Sequence, residues 1–138
     1  MLIRDETMTG LVLVTHAGLA RELLAAAEII MGKIERAEAV CISASDPVEA
    51  IRDAITGAIG KVGDEGVIVM TDMFGGTPSN MSLSFLEQDR LEVVTGVNLP
   101  MVVKFATDRA KQGVAALAET LKESGRQSIL VAGDYLKK

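Results

Sequence analysis

Short apolar runs alternate with amphipathic helical segments along this chain, and a glycine, proline or capping residue stands at most junctions. Four of the runs have the length and the aliphatic content of strands: Leu11 to Val14, Ala39 to Ile42, Val67 to Met70 and Leu91 to Thr95. The first and third contain no polar residue, as is typical of strands buried on both faces of a parallel sheet. This alternation predicts an α/β fold built from βαβ units.

The segments between the runs carry apolar residues at helical spacing. In the first segment these are Leu19, Leu23, Ala27 and Ile30, and Gly32 is placed to end the helix. Asp46 followed by Pro47 predicts the cap and first residue of a second helix, although Gly57 and Gly60 weaken its interior.

Two more helical regions follow. Thr77 and Pro78 can cap and start a third helix that extends to about Leu86. Asn98 and Pro100 begin helical structure that continues, with a break near Asp108, to about Ser124. Its buried face is marked by Val114, Leu117 and Leu121.

We therefore predict a doubly wound α/β fold with a four-stranded parallel sheet in the order 2-1-3-4 and helices on both faces. A short fifth strand is expected at Ser128 to Ala132. This strand is too apolar for an open sheet edge, which favours its exchange in a homodimer, although pairing within its own subunit stays open. A length of 138 residues suits one domain. Residues 1–9 are interpreted as a flexible leader.

Composition excludes several function classes. A net charge of -5 removes the attraction on which nucleic-acid binding mostly depends, and aromatic residues make up only 3% of the chain. Cys41 is the only cysteine and His16 the only histidine, so neither a disulfide framework nor a typical zinc site can form. No apolar run approaches the roughly 20 residues of a membrane helix, and no signal peptide is recognisable. We expect a cytoplasmic protein that needs no cofactor and does not insert into a membrane.

The residues that follow the strands are the candidates for chemistry, because parallel sheets bind ligands at the carboxyl ends of their strands. His16 follows the first strand and Asp72 the third, and the predicted strand order makes them neighbours. A carboxylate that accepts the proton of one ring nitrogen fixes the tautomer and leaves the other nitrogen as a nucleophile or base. Gly75, Gly76 and Thr77 suit a phosphoryl group, and the start of the first helix offers further N–H donors.

A structural interpretation of the same residues stays open. A lone histidine at a strand end can be a satisfied structural residue, and the stretch from Asp72 to Gly76 can be only a cap and a turn. Asn80 is interpreted as bonding the first helical turn rather than a ligand.

Three stretches together resemble the mannose-family IIA component of the phosphoenolpyruvate-dependent sugar phosphotransferase system. They are Val14-Thr15-His16-Ala17-Gly18-Leu19-Ala20, Thr71-Asp72-Met73-Phe74-Gly75-Gly76-Thr77-Pro78-Ser79-Asn80 and Thr95-Gly96-Val97-Asn98-Leu99-Pro100-Met101. The resemblance extends from about Gly10 to the last predicted strand. It implies a doubly wound fold and a homodimer with an exchanged final strand.

The resemblance also implies a function. His16 matches the histidine that carries a phosphoryl group from the histidine phosphocarrier protein HPr to a IIB component. Asp72 matches the aspartate that hydrogen-bonds the Nδ1 of that histidine, which implies phosphorylation on Nε2. Gly75, Gly76 and Thr77 match the loop that receives the phosphoryl oxygens, whereas Met73 departs from the small polar residue often found there.

Transfer to another protein's histidine calls for a shallow site with an apolar rim, for which we select Met73, Phe74, Leu99 and Met101. A two-component receiver domain is disfavoured, because it needs an acidic pair where this chain has Thr15 and His16. A hydrolase, a phosphotransfer subunit of a dihydroxyacetone kinase system, and a regulatory IIA protein without transport stay open as alternatives. The sequence does not identify the sugar.

Overall fold

A four-stranded parallel sheet lies at the centre of the fold. The computed structural model describes residues 8–63 and 65–136. Within them, β1 (Gly10–His16), β2 (Ala37–Ile42), β3 (Val67–Thr71) and β4 (Leu91–Thr95) are arranged in the order β2-β1-β3-β4. The predicted strand order is confirmed.

Helices cover both faces of the sheet, as predicted. One face carries α1 (Leu19–Met31), α4 (Leu99–Asp108) and α5 (Val114–Gln127). The other face carries α2 (Val48–Val62) and α3 (Thr77–Leu83). The predicted break near Asp108 is the boundary between α4 and α5, and Asn98 caps α4 by accepting a hydrogen bond from the Met101 N–H.

Alternate residues of the two central strands build two cores, because successive side chains of a strand point to opposite faces of the sheet. Leu11, Leu13, Ile68 and Met70 pack under α1, α4 and α5. Val12, Val14, Val67 and Val69 pack under α2. These eight side chains are buried, so the two apolar runs without polar residues are buried on both faces, as predicted.

Three predicted helix ends are wrong. Thr77 does not cap α3, because it is the first residue of that helix, behind the N-cap Gly76. Asp46 does not cap α2, since its Oδ2 instead accepts a hydrogen bond from Ser43 N–H at 2.8 Å and closes a turn after β2. The helix begins at Val48, with Pro47 at the N-cap. Helix α3 ends at Leu83 rather than Leu86, because the next three residues bond three positions back and the helix tightens into turns.

The C-terminal strand predicted at Ser128 to Ala132 is also wrong for the single chain. Ser128 closes the last turn of α5, residues 129–131 pair with no described strand, and Ala132–Leu136 forms a short helix, α6. A strand needs a neighbour for its backbone hydrogen bonds, and this segment does not pair with β4 or with any other described strand.

The predicted leader is too long. Residues 1–7 lie outside the described residues, but the next two are held in place. The carbonyl of Met8 accepts a hydrogen bond from Arg36 Nη1 at 3.1 Å. Thr9 is buried, and its carbonyl accepts hydrogen bonds from Nε and Nη2 of Arg109 at 3.1 and 2.8 Å.

Candidate functional site

His16 and Asp72 lie in direct contact at the carboxyl edge of the sheet, which confirms their predicted proximity. The Nδ1 of His16 lies 2.8 Å from Oδ2 of Asp72, and the same oxygen accepts a hydrogen bond from the His16 backbone N–H at 2.9 Å. The histidine side chain is 51% exposed and the aspartate side chain 14%. The carboxylate is therefore largely covered, while the imidazole is accessible to a partner.

Asp72 is held as a carboxylate by several donors. Its Oδ1 accepts a hydrogen bond from Met73 N–H at 3.0 Å. Partial burial acts to raise the pKa of Asp72, but the backbone and ring hydrogen bonds from His16, with the charge of the protonated ring, hold this pKa below its ordinary value of 3.8. A carboxylate that accepts a proton from Nδ1 leaves the lone pair of a neutral ring on Nε2.

The turn between β1 and α1 orients the histidine, and Thr15 holds this turn. The buried Oγ1 of Thr15 accepts a hydrogen bond from Ala20 N–H at 2.7 Å and donates to the His16 carbonyl at 3.2 Å. Ala17 has a φ of 51°, and its N–H donates to the Ile42 carbonyl at 2.8 Å. Sequence patterns did not indicate either role, because a capping side chain is normally expected at the N-cap, here Gly18, and a positive φ is normally expected at glycine.

This capping bears on one prediction. The start of α1 is expected to offer free N–H donors to a ligand, and Thr15 occupies one of them, the N–H of Ala20.

The glycine loop lies against the imidazole. A Cβ atom on Gly76 would stand 2.9 Å from Cε1 of His16 and 3.3 Å from its Nε2, so only glycine leaves the ring its space. Gly75 has a φ of 94°, which also favours glycine. Its carbonyl accepts a hydrogen bond from the Asn80 side chain at 3.4 Å, so Asn80 bonds the loop, close to its predicted structural role.

A shallow cavity of about 480 Å³ opens beside His16 on the side of the β2–α2 turn. Thr77 lines it from one side, and Ser43 and Val48 line it from the other. Val48 is 59% exposed, an apolar position that the sequence analysis missed. It is the first residue of α2, six positions beyond the end of β2, so a search of the positions directly after the strands does not include it.

The four residues of the predicted apolar rim differ in their exposure. Met73 and Phe74 are exposed, at 55% and 71%, in the loop next to Asp72. Met101 is not part of a rim, because it lies on the inner face of α4 and packs against Gly125 of α5. Leu99 is half-buried and packs against the core beneath α4.

No group of three or more His, Cys, Asp or Glu side chains that could hold a metal ion occurs in residues 8–63 and 65–136. Over the same residues, no helix combines the length and the apolar character that a membrane span requires.

Comparisons with known proteins agree on one family. Residues 10–122 match the family model EIIA-man, described as the PTS system fructose IIA component. The chain is 26% identical over 133 residues to the fructose-specific EIIA component of Bacillus subtilis, with 95% of this chain and 91% of that protein covered. It is 29% identical over 112 residues to the sorbose-specific EIIA component of Lacticaseibacillus casei, covering 80% of this chain and 81% of that protein.

The fold has solved counterparts. The phosphotransferase system component EIIA from Streptococcus agalactiae superimposes with a TM-score of 0.84 over 92% of this chain and 99% of that chain. The two sequences are 23% identical, so this likeness concerns the fold alone.

Proposed function

Because the chain belongs to the EIIA-man family of phosphotransferase system IIA components, which supports a general role in phosphotransfer, we propose that it is a phosphocarrier whose acceptor is Nε2 of His16. The phosphohistidine of HPr donates the phosphoryl group to His16, which then passes it to a IIB component for sugar uptake. These partners act in the cytoplasm, where we place the chain.

The contact of 2.8 Å between His16 Nδ1 and Asp72 Oδ2 carries this proposal. It supports a neutral ring with its proton on Nδ1, whose Nε2 lone pair attacks phosphorus in line with the donor nitrogen. The new P–Nε2 bond forms as the donor's P–N bond breaks, and that electron pair returns to the donor imidazole. The Nδ1 proton stays in its hydrogen bond, and the carboxylate balances the positive charge that develops on the phosphorylated ring.

The glycine loop supports the choice of Nε2. Gly76 lies against the edge of the ring that bears Cε1 and Nε2, so a phosphoryl group on Nε2 is next to the backbone of this loop. We assign Gly75, Gly76 and Thr77 to the phosphoryl oxygens, because backbone N–H groups and a hydroxyl are suitable donors for an oxyanion. Met73 and Phe74 form the exposed apolar part of the surface on which the partner proteins dock.

Labelling with radioactive phosphoenolpyruvate in the presence of the general carrier proteins tests the proposal. The intact chain is expected to take up one acid-labile phosphoryl group, and His16→Ala none, since His16 is the only histidine. Asp46→Asn is the matched control, because Asp46 lines the same cavity but bonds Ser43 rather than the ring. It should label normally.

Three outcomes contradict the assignment. Undiminished labelling of His16→Ala rejects His16 as the acceptor. Rapid release of inorganic phosphate without any IIB component indicates a hydrolase. Transfer to a dihydroxyacetone kinase subunit, with none to a IIB component, rejects the sugar-uptake role.

A further inference from the structure

A second cavity lies at the amino end of the sheet, opposite to the edge that carries His16. It has a volume of about 560 Å³ and adjoins the residues that precede β1 and β2. Three cationic side chains line it, those of Lys33, Arg36 and Arg109, against one acidic side chain, that of Glu35. Even without Arg36, the cations Lys33 and Arg109 outnumber Glu35, in a chain whose net charge is -5.

Arg109 is the deepest of these cations and is only 4% exposed. Its guanidinium stacks on Phe105, with 4.8 Å between Cζ and the ring centroid, and donates from Nε and Nη2 to the Thr9 carbonyl. A guanidinium has five N–H groups, so three are left without a partner in residues 8–63 and 65–136. No described carboxylate forms an ion pair with Arg109, and a buried charge without a counter-ion is costly.

The described neighbouring charges do not compensate for this burial. Burial lowers the pKa of Arg109, the positive charge of Arg36 lowers it further, and Glu35 opposes them without restoring the ordinary value. An anion bound in the cavity would offset the burial of the Arg109 charge and use its remaining donors.

We propose that this cavity is a binding site for a small phosphorylated molecule, whose phosphate group is held by Arg109 and Lys33. The planar guanidinium fork matches the oxygens of a phosphate group, and a cavity of this volume accommodates a small metabolite. Met31 and Ile34 provide an apolar wall for the rest of the molecule. The site is separate from the phosphotransfer site and extends the proposed function.

Titration of the ¹⁵N-labelled full chain with inorganic phosphate, at constant ionic strength, tests the proposal by NMR. We expect saturable shifts of the amides from Ile34 to Ala37 and of Arg109, with a dissociation constant in the millimolar range. Lys33→Gln should weaken this binding about threefold, the scale of one exposed charge. Lys61→Gln, which removes an exposed charge outside the cavity, should leave it unchanged. Arg109 is not the first choice for substitution, because its contact with Thr9 also supports the fold.

Three results would overturn the proposal. The first is the absence of saturable shifts at the amino end of the sheet. The second is equal weakening by Lys33→Gln and Lys61→Gln, which indicates general charge screening. The third is binding only after Asp5→Asn and Glu6→Gln are introduced, which indicates that a carboxylate of the chain's own N-terminal segment neutralises the cavity. Shifts confined to His16 and Gly76 would also overturn the proposal, because they show no binding at the amino end of the sheet. They would leave the phosphotransfer proposal intact.

Discussion

At the scale of single residues, the proposed chemistry depends on an imidazole that its neighbours hold in one orientation. Asp72 fixes Nδ1, Gly76 leaves room at the opposite edge, and Thr15 holds the turn that follows. Each of these residues contacts His16 or the turn that carries it, so a substitution at any of them tests the orientation of the ring while the histidine itself is retained.

Asp72→Asn should preserve the fold but slow phosphoryl transfer about one hundredfold or more. The amide can donate to Nδ1, which moves the ring proton to Nε2 and blocks the attacking lone pair, and it no longer balances the charge of the phosphorylated ring. Rapid-quench measurement of His16 labelling checks this, with Asp46→Asn as the control for loss of one carboxylate. Transfer at an undiminished rate by Asp72→Asn would show that the tautomer is set by another group.

Asp72→Asn should also change how the free energy of unfolding depends on pH. The folded-state pKa of Asp72 is depressed, so its contribution is fully present above the unfolded-state value near 3.8 and is lost as the pH falls through the folded-state pKa. The free energy of unfolding of the intact chain should therefore decline more steeply below about pH 4 than that of Asp72→Asn. Urea denaturation across the acidic range measures the two slopes, and parallel slopes would contradict the expectation.

Ala17 shows that the turn beside His16 is strained. Its φ of 51° is in the left-handed region, which costs a residue with a Cβ roughly 1–2 kcal/mol. Ala17→Gly removes that cost but makes the unfolded chain more flexible, so we expect a net gain of about 0.5 kcal/mol in the free energy of unfolding. Asp89→Gly is the control, since Asp89 has a φ of 66° and aspartate tolerates this region better. A larger gain from Asp89→Gly than from Ala17→Gly in urea denaturation would refute the assignment of strain.

At the scale of elements, sequence patterns predicted what depends on local spacing and on strand order. β4 was predicted at its observed bounds, and α1 at its observed end, because apolar periodicity and a following glycine are local signals. The meeting of His16 and Asp72 followed from strand order alone. The cap at Asp46 and the rim position of Met101 failed because each depends on tertiary packing, the first on the turn at Ser43 and the second on the contact with Gly125.

Replacing glycine by alanine should change the free energy of unfolding in opposite directions in α2 and in α5. A Cβ added to Gly57 of α2 would meet open space, so Gly57→Ala should raise the free energy of unfolding by about 0.5–1 kcal/mol. A Cβ on Gly125 of α5 would stand 2.6 Å from Sδ of Met101, so Gly125→Ala should lower it by about 1–3 kcal/mol. Thermal and urea denaturation compare the two variants directly. Equal effects of the two substitutions would mean that α4 and α5 do not pack as closely as described.

At the scale of the whole molecule, the segment after α5 leaves apolar side chains exposed in a single chain. Ile129, Leu130 and Val131 are consecutive and exposed, at 76%, 63% and 69%. Ile129 lies near the carboxyl end of β4, whose outer edge has no partner among the described strands. An apolar segment beside an open edge favours pairing with a second copy, which would bury the segment and remove the edge together.

We therefore expect a homodimer in solution that depends on this segment. Truncation after Ser128 should yield a monomer, and it retains Gly125, whose carbonyl accepts a hydrogen bond from the Asn98 side chain at the start of α4. The double substitution Ile129→Glu and Val131→Glu should have the same effect without shortening the chain. Burying two carboxylates in the interface is more unfavourable in free energy than the pairing is favourable. Lys61→Gln removes an exposed charge at the end of α2, which packs on β1 and β2 rather than on β4, and is a control that should stay dimeric. Sedimentation equilibrium at micromolar concentrations measures all four proteins. A monomeric intact chain would exclude the dimer. A dimer that survives both the truncation and the double substitution would place the interface elsewhere, because the exposed segment would then not be what brings two copies together.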